Sequence, residues 1–193
     1  MKTALALTDV RTRVCGLLES RSVGVQVLLV VVGAYLTALA AQVKIPLPFT
    51  PVPVTAQVLV VLLIGGLLRP RLAFGAQAVF LLAGMAGLPW YAVGGGYPLG
   101  PTGGYILGFV LSAPMLSMLL RRYGVGRSLT GVVLAMAAAV TTIHLLGATH
   151  LALLTGAPIG ATLAMAVAPF VAVDAVKVVL AAGVVRAVRL ESR

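Results

Sequence analysis

Six apolar runs separated by short joints occupy most of the 193-residue chain. Charged residues make up only 9% of it, against about 25% in a soluble domain. With a mean hydropathy of +1.12, the chain reads as an all-α integral membrane protein. A membrane span needs about 20 mostly apolar residues. The runs are Val23–Val43, about Val52–Leu68, Leu72–Gly87, about Tyr105–Leu120, Leu129–Leu154, and a last one running toward Val188. Pro169 interrupts the last, so Ile159–Ala168 is expected as a short separate helix, with the span itself starting near Phe170.

The cations set the direction of these spans. Lys2, Arg11, Arg13 and Arg21 precede the first. Arg69 and Arg71 lie between the second and third, and Arg121, Arg122 and Arg127 between the fourth and fifth. Arg186, Arg189 and Arg193 follow the sixth. Six spans put all twelve on one side and leave Lys44 as the lone cation in the opposite loops. The positive-inside rule makes the basic side cytoplasmic, with both termini inside. The expected organisation is a cytoplasmic segment 1–22, one six-helix membrane domain 23–188 and a cytoplasmic tail 189–193, in the cell membrane. The net charge of +10 is then a topology signal and an attraction to anionic lipid, and it does not imply nucleic acid. The first apolar run has no convincing cleavage site and is too long for a signal core, so it reads as a retained helix.

The opposite loops are uncharged apart from Lys44 and rich in Pro and Gly. Lys44 to Pro53 carries four prolines, which makes it extended and stiff. Leu88 to Tyr105 holds the only Trp, three of the five Tyr and the run Gly94, Gly95, Gly96. Trp90, Tyr91, Tyr97 and Tyr105 could form an interfacial aromatic belt. A belt does not need consecutive glycines, whereas non-helical backbone near membrane depth is tolerated where it lines a cavity. The second loop is therefore read as part of an outward-facing pocket, and as the more adaptable of the two. Thr55, Gln57 and Gln42 could line that pocket or bond to neighbouring helices.

Asp174 is the only acid between Glu19 and Glu191, and Lys177 follows it at i+3 on the same helix face. A charge at membrane depth costs several kcal/mol, about 2.5–3.5 on the mildest scale. Nine residues separate Lys177 from Arg186, or roughly 14 Å of helix. The pair therefore lies in the outer half of the membrane, just below the Pro/Gly loops. It could be a structural ion pair, but nothing in a transmembrane helix requires one.

Other groups carry less. The lone Cys15 excludes a disulfide framework and a cysteine metal cluster. His144 and His150, six apart with no carboxylate near in sequence, read as polar tips in the bundle and not as metal ligands. Ser112 and Ser117 lack a nucleophile motif, which disfavours an intramembrane enzyme, and no phosphate-loop motif is present. No catalytic residue, metal or cofactor is expected. Ala34 and Ala38 on the first span form a small-xxx-small pattern, used within the monomer or for docking.

Three strings in order, Ile-Pro-Leu-Pro-Phe-Thr-Pro-Val-Pro-Val-Thr-Ala-Gln (Ile45 to Gln57), Gly-Pro-Thr-Gly-Gly-Tyr (Gly100 to Tyr105) and Pro-Phe-x3-Asp-x2-Lys (Pro169 to Lys177), resemble the BioY family. These are the biotin-binding S components of energy-coupling factor (ECF) transporters. The resemblance covers about Val23 to Val188. It departs from the family where Phe-Val-Ala-Val separates Pro169 from Asp174, which leaves the start and angle of the last helix open. It implies the six-helix S-component fold and high-affinity binding of biotin from outside under the two Pro/Gly loops. It also implies that Asp174 and Lys177 take part. Around them, Trp90, Tyr91, Gly94, Gly95, Gly96, Tyr97, Gly103, Gly104, Tyr105, Gln57, Thr55 and Lys44 are the expected biotin contacts. The implied partners are a transmembrane coupling subunit, which Ala34 and Ala38 would face, and two cytoplasmic ATPases. A homo-oligomer and a solitary biotin carrier working without a dedicated module are the alternatives.

Overall fold

The computed structural model describes residues 12–14, 16–92, 100–122 and 128–189. Its elements are α1 (Val23–Gln42), a hairpin of β1 (Lys44–Leu47) and β2 (Thr50–Thr55), α2 (Gln57–Leu67), α3 (Pro70–Met85), α4 (Gly103–Arg122), α5 (Leu129–Thr155), α6 (Ile159–Ala166) and α7 (Ala168–Arg189). Four stretches are long and apolar enough to cross a membrane: Val23–Gln42, Gly103–Arg121, Leu129–Thr155 and Ile159–Val188, the last interrupted at Val167. α2 and α3 are apolar but shorter.

The prolines explain why the second run yields a shorter helix than expected. The run from Val52 was expected to be helical, but Val52 to Thr55 belongs to β2. Pro51 and Pro53 lack the N–H groups that a helix interior needs. A two-stranded ladder has only edge strands, where proline is tolerated. β1 and β2 pair antiparallel, with Lys44 opposite Thr55 and Leu47 opposite Thr50, and the register slips around Pro46. The expectation of a stiff, extended segment holds, now with a defined partner strand.

α2 is the central element. It has 11 residues, none of them exposed. It packs against α1, α4 and α7. Gly65 approaches the backbone of Ala113 on α4, and Gly66 faces Val185 on α7. Elements in direct contact with lipid must match its thickness, about 30 Å of hydrocarbon. A helix sheathed by protein need not.

Around it, α4 and α5 make the most extensive helix pair, with α1 against α3 and α3 against α4. Gly104 makes the α4–α5 crossing possible, because a Cβ there would collide with Leu146 O and His150 Cβ. Gly104 therefore serves helix packing, a role apart from the ligand contact expected of it. Ala34 and Ala38 are 0% and 4% exposed, turned into the chain's own core. Their neighbour Gly33 abuts Ala76 on α3 and Ile64 on α2. This corrects the expectation that they face a coupling subunit: the small side chains let α1 approach α3, and that approach covers them.

At the far end of the chain, Gly156 in a left-handed conformation (φ 66°) closes α5, and Pro158 precedes α6. α6 ends at Ala166, as the interruption at Pro169 suggested. α7 starts at Ala168, so Pro169 sits in its first turn, where its missing N–H costs nothing. The start of α7 thus lies two residues before the expected Phe170.

The arginine-bearing end is tied together by Glu19. Its carboxylate accepts from Arg69 Nε (3.1 Å) and Arg121 Nη1 (2.8 Å), and Arg121 also donates to Leu67 O. Partial burial alone would raise the Glu19 pKa. The hydrogen bonds and charges of Arg121 and Arg69 outweigh it and hold the carboxyl below its ordinary 4.5. Such a group stabilises the fold above that value, and the contribution fades as pH falls through the lowered one.

Two outcomes are expected. Gly104→Leu, which forces α4 from α5, lowers stability by roughly 1–3 kcal/mol or prevents folding, read as the melting temperature in detergent. Glu19→Gln costs under about 1 kcal/mol at neutral pH, since the ion pairs are partly exposed. Melting curves of variant and parent then converge as pH falls below 4.5.

Candidate functional site

The polar groups of the bundle converge where the hairpin meets α2, α4, α5 and α7. A small cavity there is lined by Val52, Pro53 and Thr55 of β2, Gln57 at the start of α2, Thr102, Tyr105 and Phe109 around α4, His144 of α5, and Phe170, Asp174 and Lys177 of α7. Its volume is about 40 Å³.

Asp174 is the centre of this site and is 2% exposed. Lys177 Nζ donates to its Oδ1 at 2.7 Å, one helical turn away on the same face. His144 Nε2 meets its Oδ2 at 2.8 Å from across the bundle. A carboxylate oxygen has two acceptor sites, so each oxygen retains capacity for a further donor. The histidine is a polar tip in the bundle, as expected, and the structure adds its partner. His144 has no carboxylate near it in sequence, yet the α5–α7 packing places one in direct contact. A buried apolar-helix histidine thirty residues from the only buried acid was the available clue, and spacing alone cannot reveal such a pairing.

Gln57 adds a free donor. It is 6% exposed, and its Nε2 has no partner among the described residues. The Thr55 hydroxyl donates to Gln57 Oε1 at 3.1 Å, which leaves the amide nitrogen as the open end. An unpaired buried amide costs roughly 1–3 kcal/mol unless something satisfies it. Tyr105 supplies a wall. Its hydroxyl donates to Ala166 O at 2.6 Å, and its ring lies 6.4 Å from His144 and 6.2 Å from Phe170.

Of the other expected contacts, those among the described residues do not line this cavity. Trp90 stacks on Phe80 at 6.5 Å and meets Tyr35 edge-on. Tyr91 packs over Gly84, and its hydroxyl donates to Leu81 O at 2.5 Å. Both therefore anchor the loop to α3. Neither was distinguishable from a pocket aromatic by sequence, because a loop aromatic can turn either way. Lys44 Nζ donates to Ala92 O at 2.6 Å, tying the hairpin to that loop. It lines an outer cleft of about 370 Å³ that shares Pro53 and Ala92 with the inner cavity. Gly103 is buried at the start of α4, beside Thr102 of the cavity wall. Gly94, Gly95, Gly96 and Tyr97 lie outside the described residues.

The buried triad generates a stability test. Removing one member of a buried ion pair strands the other, at about 3–5 kcal/mol, whereas removing both charges costs less. Lys177→Met is therefore expected to lower the melting temperature more than the double variant Asp174→Asn/Lys177→Met, measured in the same detergent.

Comparison with known proteins agrees with this architecture. The model of the BioY family matches residues 12–193. A "Probable biotin transporter BioY" of Lysinibacillus sphaericus is 45% identical over 91 residues, covering 46% of this chain and 45% of that protein. One from Bacillus subtilis is 42% identical over 79 residues, 39% of this chain and 42% of that protein. The chain thus aligns with less than half the length of these two. A "Biotin transporter BioY" of Rhizobium etli is 32% identical over 172 residues, which cover 84% of this chain and 91% of that protein. A crystal structure of the S-component for biotin from an ECF-type ABC transporter superposes with a TM-score of 0.78 over 85% of this chain and 90% of that one. At 24% identity that likeness shows the fold. A family model spanning nearly the whole chain, with a relative aligned over most of its length, makes this protein a member of the BioY family.

Proposed function

We propose that this chain is the biotin-binding membrane subunit of a vitamin uptake system. The observation that carries the reading is the convergence of Asp174, Lys177, His144 and the unpaired Gln57 amide on one buried cavity beneath the hairpin. Biotin is what the names of the relatives point to. Its ureido ring offers two N–H donors and one carbonyl acceptor. The free lone pairs of Asp174 can accept from the donors, while Gln57 Nε2 or Lys177 can donate to the carbonyl. The thiophane ring and valerate chain suit Tyr105, Phe109 and Phe170. Gly94, Gly95, Gly96 and Tyr97 remain candidate ligand contacts in the adjoining loop.

A cavity of about 40 Å³ is far below the roughly 300–1,000 Å³ of ligand sites. Binding therefore includes an opening step. The outer cleft, which shares Pro53 and Ala92 with the cavity, is the entry route we favour.

In this reading α1 to α5 and α7 are the six membrane-crossing elements of one unit, residues 23–188. The arginine-bearing end and both termini, 1–22 and 189–193, are cytoplasmic. The chain carries no phosphate-loop motif of its own. Energy then comes from the ATPases of an ECF module through its transmembrane coupling subunit.

Calorimetry with biotin on the purified protein in detergent tests the proposal. Saturable binding is expected. Asp174→Asn weakens it by roughly 10- to 150-fold, the value of a lost charge-assisted bond of about 1.5–3 kcal/mol, and Gln57→Leu by roughly 2- to 12-fold, that of a neutral bond of about 0.5–1.5 kcal/mol. Absence of binding by the unaltered protein would sink the reading, and unaltered affinity in both variants would sink the site.

A further inference from the structure

A second space also reaches the buried carboxylate. An apolar groove of about 540 Å³ runs between α5, α6 and α7. Leu145, Leu163, Val171 and Val179 on its walls are exposed, so the groove opens toward lipid. Among the residues lining the groove and the polar cavity, two belong to both: His144 and Asp174. Their 2.8 Å contact is therefore the partition between a polar cavity and the hydrocarbon side of the protein. Lys177 lines the polar cavity and not the groove.

Lys177 holds Asp174 from the same helix, so it cannot tie α7 to a neighbour. His144 does, because it reaches over from α5. Its ring is itself held edge-on, 6.4 Å from Tyr105 and 6.1 Å from Phe170. The charged and titratable groups around it are Asp174 and Lys177 on α7 and Tyr105 on α4. The α6 segment Ile159–Ala166 contributes none. Without the imidazole, one carboxylate oxygen would face an apolar groove with no donor, which membrane depth makes costly. The carboxylate would then turn from the geometry that the polar cavity needs.

We infer that His144 is a positioning residue: it seals the α5–α7 seam and keeps the Asp174 carboxylate directed into the ligand cavity. The second half of this inference rests on the biotin reading, while the sealing half stands without it.

The test uses the full chain in liposomes and dicyclohexylcarbodiimide, a lipid-soluble reagent that modifies carboxyl groups. Modification of Asp174 is followed by peptide mass spectrometry, with Asp174→Asn as background. His144→Leu is expected to react about tenfold faster than the unaltered protein and to bind biotin about tenfold more weakly, the effect of one lost charge-assisted bond. His144→Gln keeps an N–H donor and is expected to restore both towards the parent. A merely space-filling role would instead be served as well by leucine. Equal labelling of the parent and a monodisperse His144→Leu overturns the seal, as does glutamine labelling as fast as leucine. If labelling follows the expected order while no variant or parent binds biotin, the seal stands and the ligand reading falls.

Discussion

An ionised carboxylate inside an apolar bundle has to find its donors within the protein. Asp174 finds two, one from its own helix and one from across the bundle, and much of the arrangement around it follows from that need. The i+3 lysine fixes which face of α7 turns inward. The imidazole fixes how α5 lies against α7. Tyr105 and Phe170 hold the imidazole, and Tyr105 is held in turn by the carbonyl that ends α6. Polar groups in this setting are worth most when all of them are satisfied. The Gln57 amide nitrogen is one of the few buried groups left without a partner among the described residues, and it stands at the cavity. An unsatisfied donor beside a carboxylate with acceptor capacity to spare is the asymmetry expected of a site awaiting a ligand.

The helix order and the Asp174–Lys177 contact were legible in the sequence, because both rest on local patterns. Apolar runs and the cation partition located α1, α3, α4, α5 and α7 within a few residues. The break at Pro169 foretold the separate α6. Asp174 and Lys177 could be paired because helix geometry alone brings i and i+3 together. Contacts that depend on packing were not legible in this way. His144 meets Asp174 only because α5 and α7 lie side by side. That Gly104 lets α4 touch α5 depends on a neighbour distant in the chain. Trp90 and Tyr91 turn inward against Phe80 and Gly84, a choice made by neighbours distant in the chain. The Ala34 and Ala38 pattern was ambiguous for the same reason, since small residues permit any close approach and do not name the partner.

Proline had two effects that the sequence reading separated only in part. Stiffness and extension were evident, and a helix starting at Val52 still seemed compatible with them. The hairpin resolves the conflict by pairing two proline-bearing strands whose outer edges need no donors. It also sets Val52 and Pro53 as the roof of the inner cavity, between it and the outer cleft. Lys44 then fastens this roof to Ala92 by one hydrogen bond, beside the packing of β2 against α6 and α1.

The enclosure of α2 has a further consequence for how the site responds to its surroundings. Bilayer thickness acts on a protein through the residues that lipid touches. Lipid bears on α1, with its many exposed valines and leucines, whereas no residue of α2 is fully exposed. The height of Gln57 relative to Lys177 is thus set by Gly66 against Val185, inside the protein. A change in bilayer thickness then acts directly on α1 and on the exposed valines of α7, and reaches Gln57 only through the packing of α2 against those helices.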